Sequence, residues 1–377
     1  MEYKTVGGPC KLLIFLSVIY LLLATCNAKC PCKTEDLCKP VTKAYAKELV
    51  VFACDSATED WKKYNWTEIT HVIVCKTQNI SEIYCHAHAN QVRVTQLAGL
   101  TTENFPLLEQ YDFRQQLIKS WLNDSVSNFL DGVNMDIEGA AFTSEIKQAI
   151  VDLTQETREA YKAVDSNYIV TFDIPYSPFV AGCLSFYCFD YVGIAKYTDY
   201  MIVMGYDANI DIFQAQANSP LFVIEQGLNQ YINNVSIDPN QLVLALPWYG
   251  YDFTCEYFLN NTGHEICLIL GAGHLQRGQG NIWEILLNNT VPVMLNEHSQ
   301  SVYFTVKMDG IYHQIWFDNS RTLWLKYDVG ISLGIKGFSM WQAGALNYNS
   351  DNQLIQNGNN IFWNDITRAM IKLKGSA

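Results

Sequence analysis

The residues best placed by type and spacing to do chemistry lie in one octet, Asp131-Gly132-Val133-Asn134-Met135-Asp136-Ile137-Glu138. Side chains alternate across an extended strand. Asn134, Asp136 and Glu138 therefore share one face, and Val133, Met135 and Ile137 share the other. Carboxyls two positions apart sit on Cα atoms ~7 Å from each other. On a buried face, desolvation and mutual repulsion raise at least one pKa, so one acid can stay protonated as a general acid beside an ionising neighbour. Spacing alone leaves two other readings open: an acidic strand end in a solvated loop, or a calcium site.

Such a strand needs a frame. Short apolar runs recur at Leu49–Cys54, His71–Cys75, Val92–Ala98, Gly132–Glu138, Tyr168–Ile174, Tyr200–Asp207, Leu242–Tyr249 and Ile335–Trp341. Several are rich in β-branched residues, as strands buried on both faces are. Between the fourth and fifth runs, Ile146, Ile150, Leu153, Ala160, Tyr161 and Val164 fall near one helical face, with charged residues elsewhere. Leu107 to Leu130 repeats that pattern more weakly. Strand-like runs alternating with helical spacers predict an α/β fold, a (β/α)8 barrel, with a doubly wound sheet as the competing arrangement. In that barrel the octet's polar face points inward near the C-terminal mouth. The crossover at 251–333 is longer than the rest. It holds Cys255, Cys267, a short helical stretch at Trp283–Leu287 and a hairpin of Val302–Lys307 with Ile311–Phe317, turning at Asp309-Gly310. It reads as an elaboration between strands seven and eight, within one domain over 29–377.

Composition narrows the function classes. In 377 residues, 25 Lys+Arg face 38 Asp+Glu, a net charge of −13, and no basic run offers a nucleic-acid or lipid-headgroup patch. Lys4 and Lys11 precede an apolar stretch from Leu12 to Ala24, too short for a spanning helix of about 20 residues. With small residues at Cys26-Asn27-Ala28, this reads as a signal peptide over 1–28, leaving a protein with no membrane segment. Cys10 and Cys26 leave with it. An even number of cysteines remains on a secretory route, which favours disulfides, although Cys30, Cys32 and Cys38 cluster closely enough to raise zinc as the lesser reading. His86-Ala-His88 reads as a surface pair. Sequons begin at Asn65, Asn79, Asn123, Asn234, Asn260 and Asn288, the glycan candidates of a glycoprotein.

The octet resembles the Asp-Gly-x-Asp-x-Asp-x-Glu signature on the fourth barrel strand of chitinase-like glycoside hydrolases of family 18. Met204-Gly205-Tyr206-Asp207 is similar to the family's strand-six Met-x-Tyr-Asp. Leu244-Ala245-Leu246-Pro247-Trp248-Tyr249-Gly250 is similar to its strand-seven Gly-x-Pro-x-Tyr-Gly, with Ala245 where glycine is usual. Gly337-Phe338-Ser339-Met340-Trp341 matches the strand-eight segment ending in tryptophan. These fall in order, one per strand. Two positions depart. Gln96-Leu97-Ala98-Gly99 replaces the usual Ser-x-Gly-Gly, and Asn134 stands where typical chitinases carry the middle Asp. An asparagine there resembles the subgroup acting on di-N-acetylchitobiose; it can hydrogen-bond Asp136 but cannot store a proton.

The resemblance implies a barrel glycosidase that cleaves β-1,4 bonds between N-acetylglucosamine units, in the chitobiose core of asparagine-linked oligosaccharides and in small chitooligosaccharides. Glu138 would be acid and base, while Asp136 would orient and offset charge on the substrate's acetamide. Tyr206 would hydrogen-bond its carbonyl. Asn134, Met204, Asp207 and Trp341 would line the sugar site, Trp341 as its floor, with Tyr249 the least secure addition. This chemistry needs no cofactor or metal. The expected partner is an oligosaccharide, bound by a monomer in the lysosome, or outside the cell if the chain is secreted. A lectin that binds without cutting, or a broader endo-chitinase, are the rivals. Retention of Glu138 favours an enzyme.

Overall fold

The computed structural model describes residues 29–54, 59–76, 79–100, 102–139, 141, 143–180, 188–208, 213–261, 264–269 and 274–375; the leader read at 1–28 lies outside them. Seven strands run in order: β1 (Glu48–Ala53), β2 (His71–Val74), β3 (Arg93–Leu100), β4 (Gly132–Ile137), β5 (Ile169–Pro175), β6 (Tyr200–Met204) and β7 (Leu242–Pro247). After an intervening antiparallel region comes an eighth, β15 (Gly337–Trp341), which pairs with both β7 and β1 and closes a barrel of parallel strands. The doubly wound alternative is thereby excluded.

Both faces of the barrel wall are buried, which is why its strands read as continuous apolar runs. Leu49, Val51, Val72, Val74, Val133, Met135 and Ile137 pack outward against the helices. Val50, Phe52, Ile73, Tyr200, Ile202, Val243 and Ala245 fill the interior. The helices are α1 (Ser81–Ala89), α2 (Tyr111–Ser127), α3 (Ser144–Val164), α4 (Tyr191–Ala195) and α5 (Leu221–Asn229), then α6 (Gln279–Asn289), α7 (Ser320–Ser332) and α8 (Gln353–Gly375). Thr143 caps α3 by accepting from the Ile146 amide, and Ile150, Leu153 and Tyr161 turn inward beneath it. The weaker pattern at 107–130 resolves into a 3-10 stretch containing Pro106, then α2. Proline lacks the amide a continuous α-helix would need there.

Between β7 and β15 the chain builds a five-stranded antiparallel sheet, ordered β11 (His274–Gly278), β8 (Tyr249–Thr254), β14 (Ile311–Phe317), β13 (Ser301–Met308), β12 (Met294–Asn296). A separate hairpin pairs β9 (Tyr257–Asn261) with β10 (His264–Leu268), and Cys255–Cys267 ties it down. Asp309 and Gly310 both take positive φ (49° and 86°) at the β13–β14 turn, as a two-residue hairpin loop demands.

Below the mouth the interior is polar and paired. Arg93 meets Glu48 at 2.6 Å, and His71 joins Tyr200 (2.6 Å) and Thr95 (2.7 Å) across the barrel. The Asp131 carboxylate, fully buried, accepts from the Val41 amide (2.8 Å), the Val94 amide (2.7 Å) and His88 Nε2 (2.8 Å). His88 is thus a core residue rather than half of a surface pair, and His86 lies against Trp61 and Trp66. Cys30–Cys38 and Cys32–Cys85 are disulfides, so the clustered cysteines have no thiolates left for zinc. Cys54–Cys75 joins the ends of β1 and β2. Among the sequon asparagines, Asn79, Asn123, Asn234, Asn260 and Asn288 are exposed; Asn65 is half-buried and donates to Thr367 Oγ1 at 3.2 Å.

Candidate active site

β4 begins at Gly132, which takes a φ of +148°; a Cβ there would fall 1.9 Å from the Ile169 carbonyl oxygen, so only glycine lets β4 lie this close to β5. From there Asn134 and Asp136 project inward at successive levels. Glu138, just past the strand, is exposed at the C-terminal mouth, the end where barrel enzymes of this kind place their chemistry.

Asp136 is the perturbed member of the octet. Burial chiefly, then the charge of Glu138 and its hydrogen bond, push the Asp136 carboxyl up to about 7. Among the described residues, no amide, amine or hydroxyl donor reaches its enclosed Oδ1. Glu138 hydrogen-bonds Asp136 from the solvent side. A sheltered acid that favours its proton and an open acid hydrogen-bonded to it therefore lie where a ligand could meet them.

Asn134 departs from expectation. It is fully buried, and instead of meeting Asp136 or the sugar site it donates to Asp173 Oδ2 (2.7 Å) and accepts from Thr171 Oγ1 (2.6 Å), both on β5. Asp173, which sequence reasoning misses, is raised well above the ordinary carboxylate range by burial and by the Asp136 charge. A lone acid within the apolar run Tyr168–Ile174 is the available signal.

Tyr206 follows β6 and is 8% exposed. Burial, then the charges of Asp173, Asp136, Asp207 and Glu138, hold its hydroxyl protonated well above its usual range, a neutral donor facing the acids. Trp341, at the end of β15, lies 5.1 Å from the Phe52 ring and 6.5 Å from Tyr206, centroid to centroid. Met204 is half-buried in the same interior cluster. Asp207 adopts positive φ (53°) and its Oδ1 accepts from both Tyr249 and Tyr251 at 2.5 Å. It is thus exposed yet anchored to the antiparallel sheet, and Tyr249 is committed to holding it. Trp341 and Tyr249 also border a cavity of about 330 Å³ that runs past Gln276, Asn281 and Asn347. The predicted residues converge on one mouth, except Asn134, which lies a level below.

The Glycosyl hydrolases family 18 profile matches residues 26–345. Di-N-acetylchitobiase of Mus musculus is 31% identical over 359 residues, 91% of this chain and 94% of that protein. The Homo sapiens di-N-acetylchitobiase is 30% identical over 85% of this chain and 84% of its own. Among solved structures, the Ostrinia furnacalis Group IV chitinase superposes with a TM-score of 0.70 at 17% identity, covering 87% of this chain and 99% of the other. A class V chitinase from Nicotiana tobaccum gives 0.67 at 16% identity, covering 84% and 99%. Matched along most of its length, with an acidic pair at the mouth of its barrel, the chain belongs to the glycosyl hydrolases of family 18.

Proposed function

We propose that this glycoside hydrolase cleaves the β-1,4 bond between N-acetylglucosamine units, taking the chitobiose core of asparagine-linked oligosaccharides and small chitooligosaccharides as substrates, by a retaining, substrate-assisted route. Glu138 gives its proton to the glycosidic oxygen as the C–O bond breaks, and the departing alcohol leaves neutral. The sugar's own acetamido oxygen bonds to the anomeric carbon, forming an oxazolinium cation, so no protein nucleophile is needed. Asp136 orients the amide and offsets that cation, and Tyr206 hydrogen-bonds its oxygen. Water then attacks the anomeric carbon as its bond to the acetamido oxygen breaks and the amide is restored; the water loses a proton to Glu138, which regenerates the acid.

One observation carries this reading: Glu138 stands open at the mouth while hydrogen-bonded to a sheltered Asp136 whose carboxyl titrates near neutrality. A lectin would not need that pairing. Trp341 suits the floor beneath a sugar ring, and Met204 and Asp207 flank it. The apolar leader and the sequons support a glycoprotein made on the secretory route and delivered to the lysosome, with secretion the alternative; we read it as a monomer that requires no metal. No helix among the described residues is long and apolar enough to cross a membrane.

Incubation with di-N-acetylchitobiose and with a core oligosaccharide bearing a free reducing end, followed by mass analysis, tests the reading. Release of single N-acetylglucosamine units is expected. Intact substrates after prolonged incubation with folded protein would overturn it in favour of a lectin.

A further inference from the structure

Asn134 is a neutral amide at the centre of an acid cluster, and its surroundings show where the missing acid has gone. Thr171 donates to Asn134 Oδ1, and Asn134 Nδ2 donates to Asp173 Oδ2. Both contacts cross from β4 to β5, where Asn134 and Thr171 stand in register. The carboxamide is thereby fixed, and so is one oxygen of Asp173. The other, Oδ1, is enclosed and, among the described residues, reached by no amide, amine or hydroxyl donor, as is Oδ1 of Asp136 on the adjoining strand. A sealed carboxylate oxygen with no donor is costly unless it carries a proton. With Oδ2 accepting from Asn134, that proton belongs on Oδ1.

The charges acting on Asp173 point the same way. Asp136 and Glu138 face it from β4, Tyr200 and Tyr206 from β6 and the residues after it. His71, bonded to Tyr200, is held neutral by burial. Two neighbouring buried carboxyls cannot both ionise cheaply, and the deeper one keeps the proton.

Building on the substrate-assisted reading above, we propose that Asp173 is a positioning residue: it holds on β5 the buried proton that Asn134 cannot hold on β4, and donates it as a hydrogen bond to Asp136 once the single proton held between Asp136 and Glu138 has left through Glu138 to the glycosidic oxygen and Asp136 stands ionised beside the cationic intermediate. No proton is transferred in this step. It stays on Asp173, and Glu138 alone supplies the proton that the leaving alcohol takes.

Difference infrared spectroscopy on the resting full-length protein tests this without substrate. A carboxylic-acid C=O band should persist at pH 8, where Asp136 has largely ionised, and should vanish in Asp173→Asn. A wild-type protein lacking that band at pH 8, or an Asp173→Asn protein retaining it, would overturn the proposal. Kinetics on di-N-acetylchitobiose supply the second arm. Asp173→Asn can still accept from Asn134 and donate to Asp136, so kcat should stay within a few fold. Asp173→Leu removes the donor and should lower kcat about tenfold to a hundredfold, the worth of a hydrogen bond to a charged group. It should also raise the apparent pKa of the limb governed by Asp136, with KM little changed. A folded Asp173→Leu protein with wild-type kcat and pH profile would refute the role; should it fail to fold, the infrared band still decides. Wild-type protein that shows the band but leaves the disaccharide intact would sink the functional reading and leave this one standing.

Discussion

Replacing Asp136 by asparagine should stabilise the protein at neutral pH while disabling it. The carboxyl titrates at about 7 in the fold against an ordinary 3.8, raised first by burial and then by Glu138. Between those two values the folded state binds the proton that the unfolded state has released. The slope of unfolding free energy with pH is therefore negative: stability falls as pH rises from about 4 to about 7, then levels off. That gap corresponds to about 4 kcal/mol at 25 °C. Glu138 is open to solvent, so screening trims its share, and about 2–4 kcal/mol is the working range. Asparagine matches the protonated acid in shape and never ionises. Urea unfolding with disulfides intact should show Asp136→Asn close to wild type at pH 4 and more stable by that amount at pH 8. Turnover should drop about a hundredfold or more, because the charge facing the cation is lost. A stability difference equal at both pH values, or a variant less stable at pH 8, would refute the assignment of a desolvated acid at this position.

Two other perturbations probe the neighbouring levels. Asn134→Asp sets a third acid against Asp173 and Asp136, so the pH dependence of kcat/KM should move; an unchanged profile would show that this level is not coupled to the reaction. Asp131→Asn replaces an acceptor that serves the Val41 amide, the Val94 amide and His88. It should lower the unfolding free energy by about 2–3 kcal/mol, the range for hydrogen bonds to a charged group, with kcat per folded molecule unchanged. Loss of kcat without loss of stability would contradict its structural role.

The barrel is legible because its strands carry recognisable segments in order, and because an acid–x–acid octet has few uses on a buried strand. Glu138, Asp136 and Tyr206 follow from alternation together with resemblance. Asp173 does not. With both faces of β5 buried, an inward acid and an outward one look alike in sequence, and only the pairing of β4 with β5 brings it beside Asn134. His88 misleads for the same reason: its partner Asp131 is 43 residues away. Nor can spacing pair Cys32 with Cys85, or show that Asp207 is gripped by two tyrosines of an inserted sheet. The long final helix, α8, escapes notice because asparagines and Gly358 dilute its apolar face.

The central claim is that one exposed glutamic acid releases the leaving alcohol while the substrate supplies its own nucleophile. The most direct measurement is single-turnover cleavage of di-N-acetylchitobiose by folded Glu138→Gln protein. The chemical step should slow by about a hundredfold to ten-thousandfold, as loss of a general acid does. Cleavage at the wild-type rate would contradict the account.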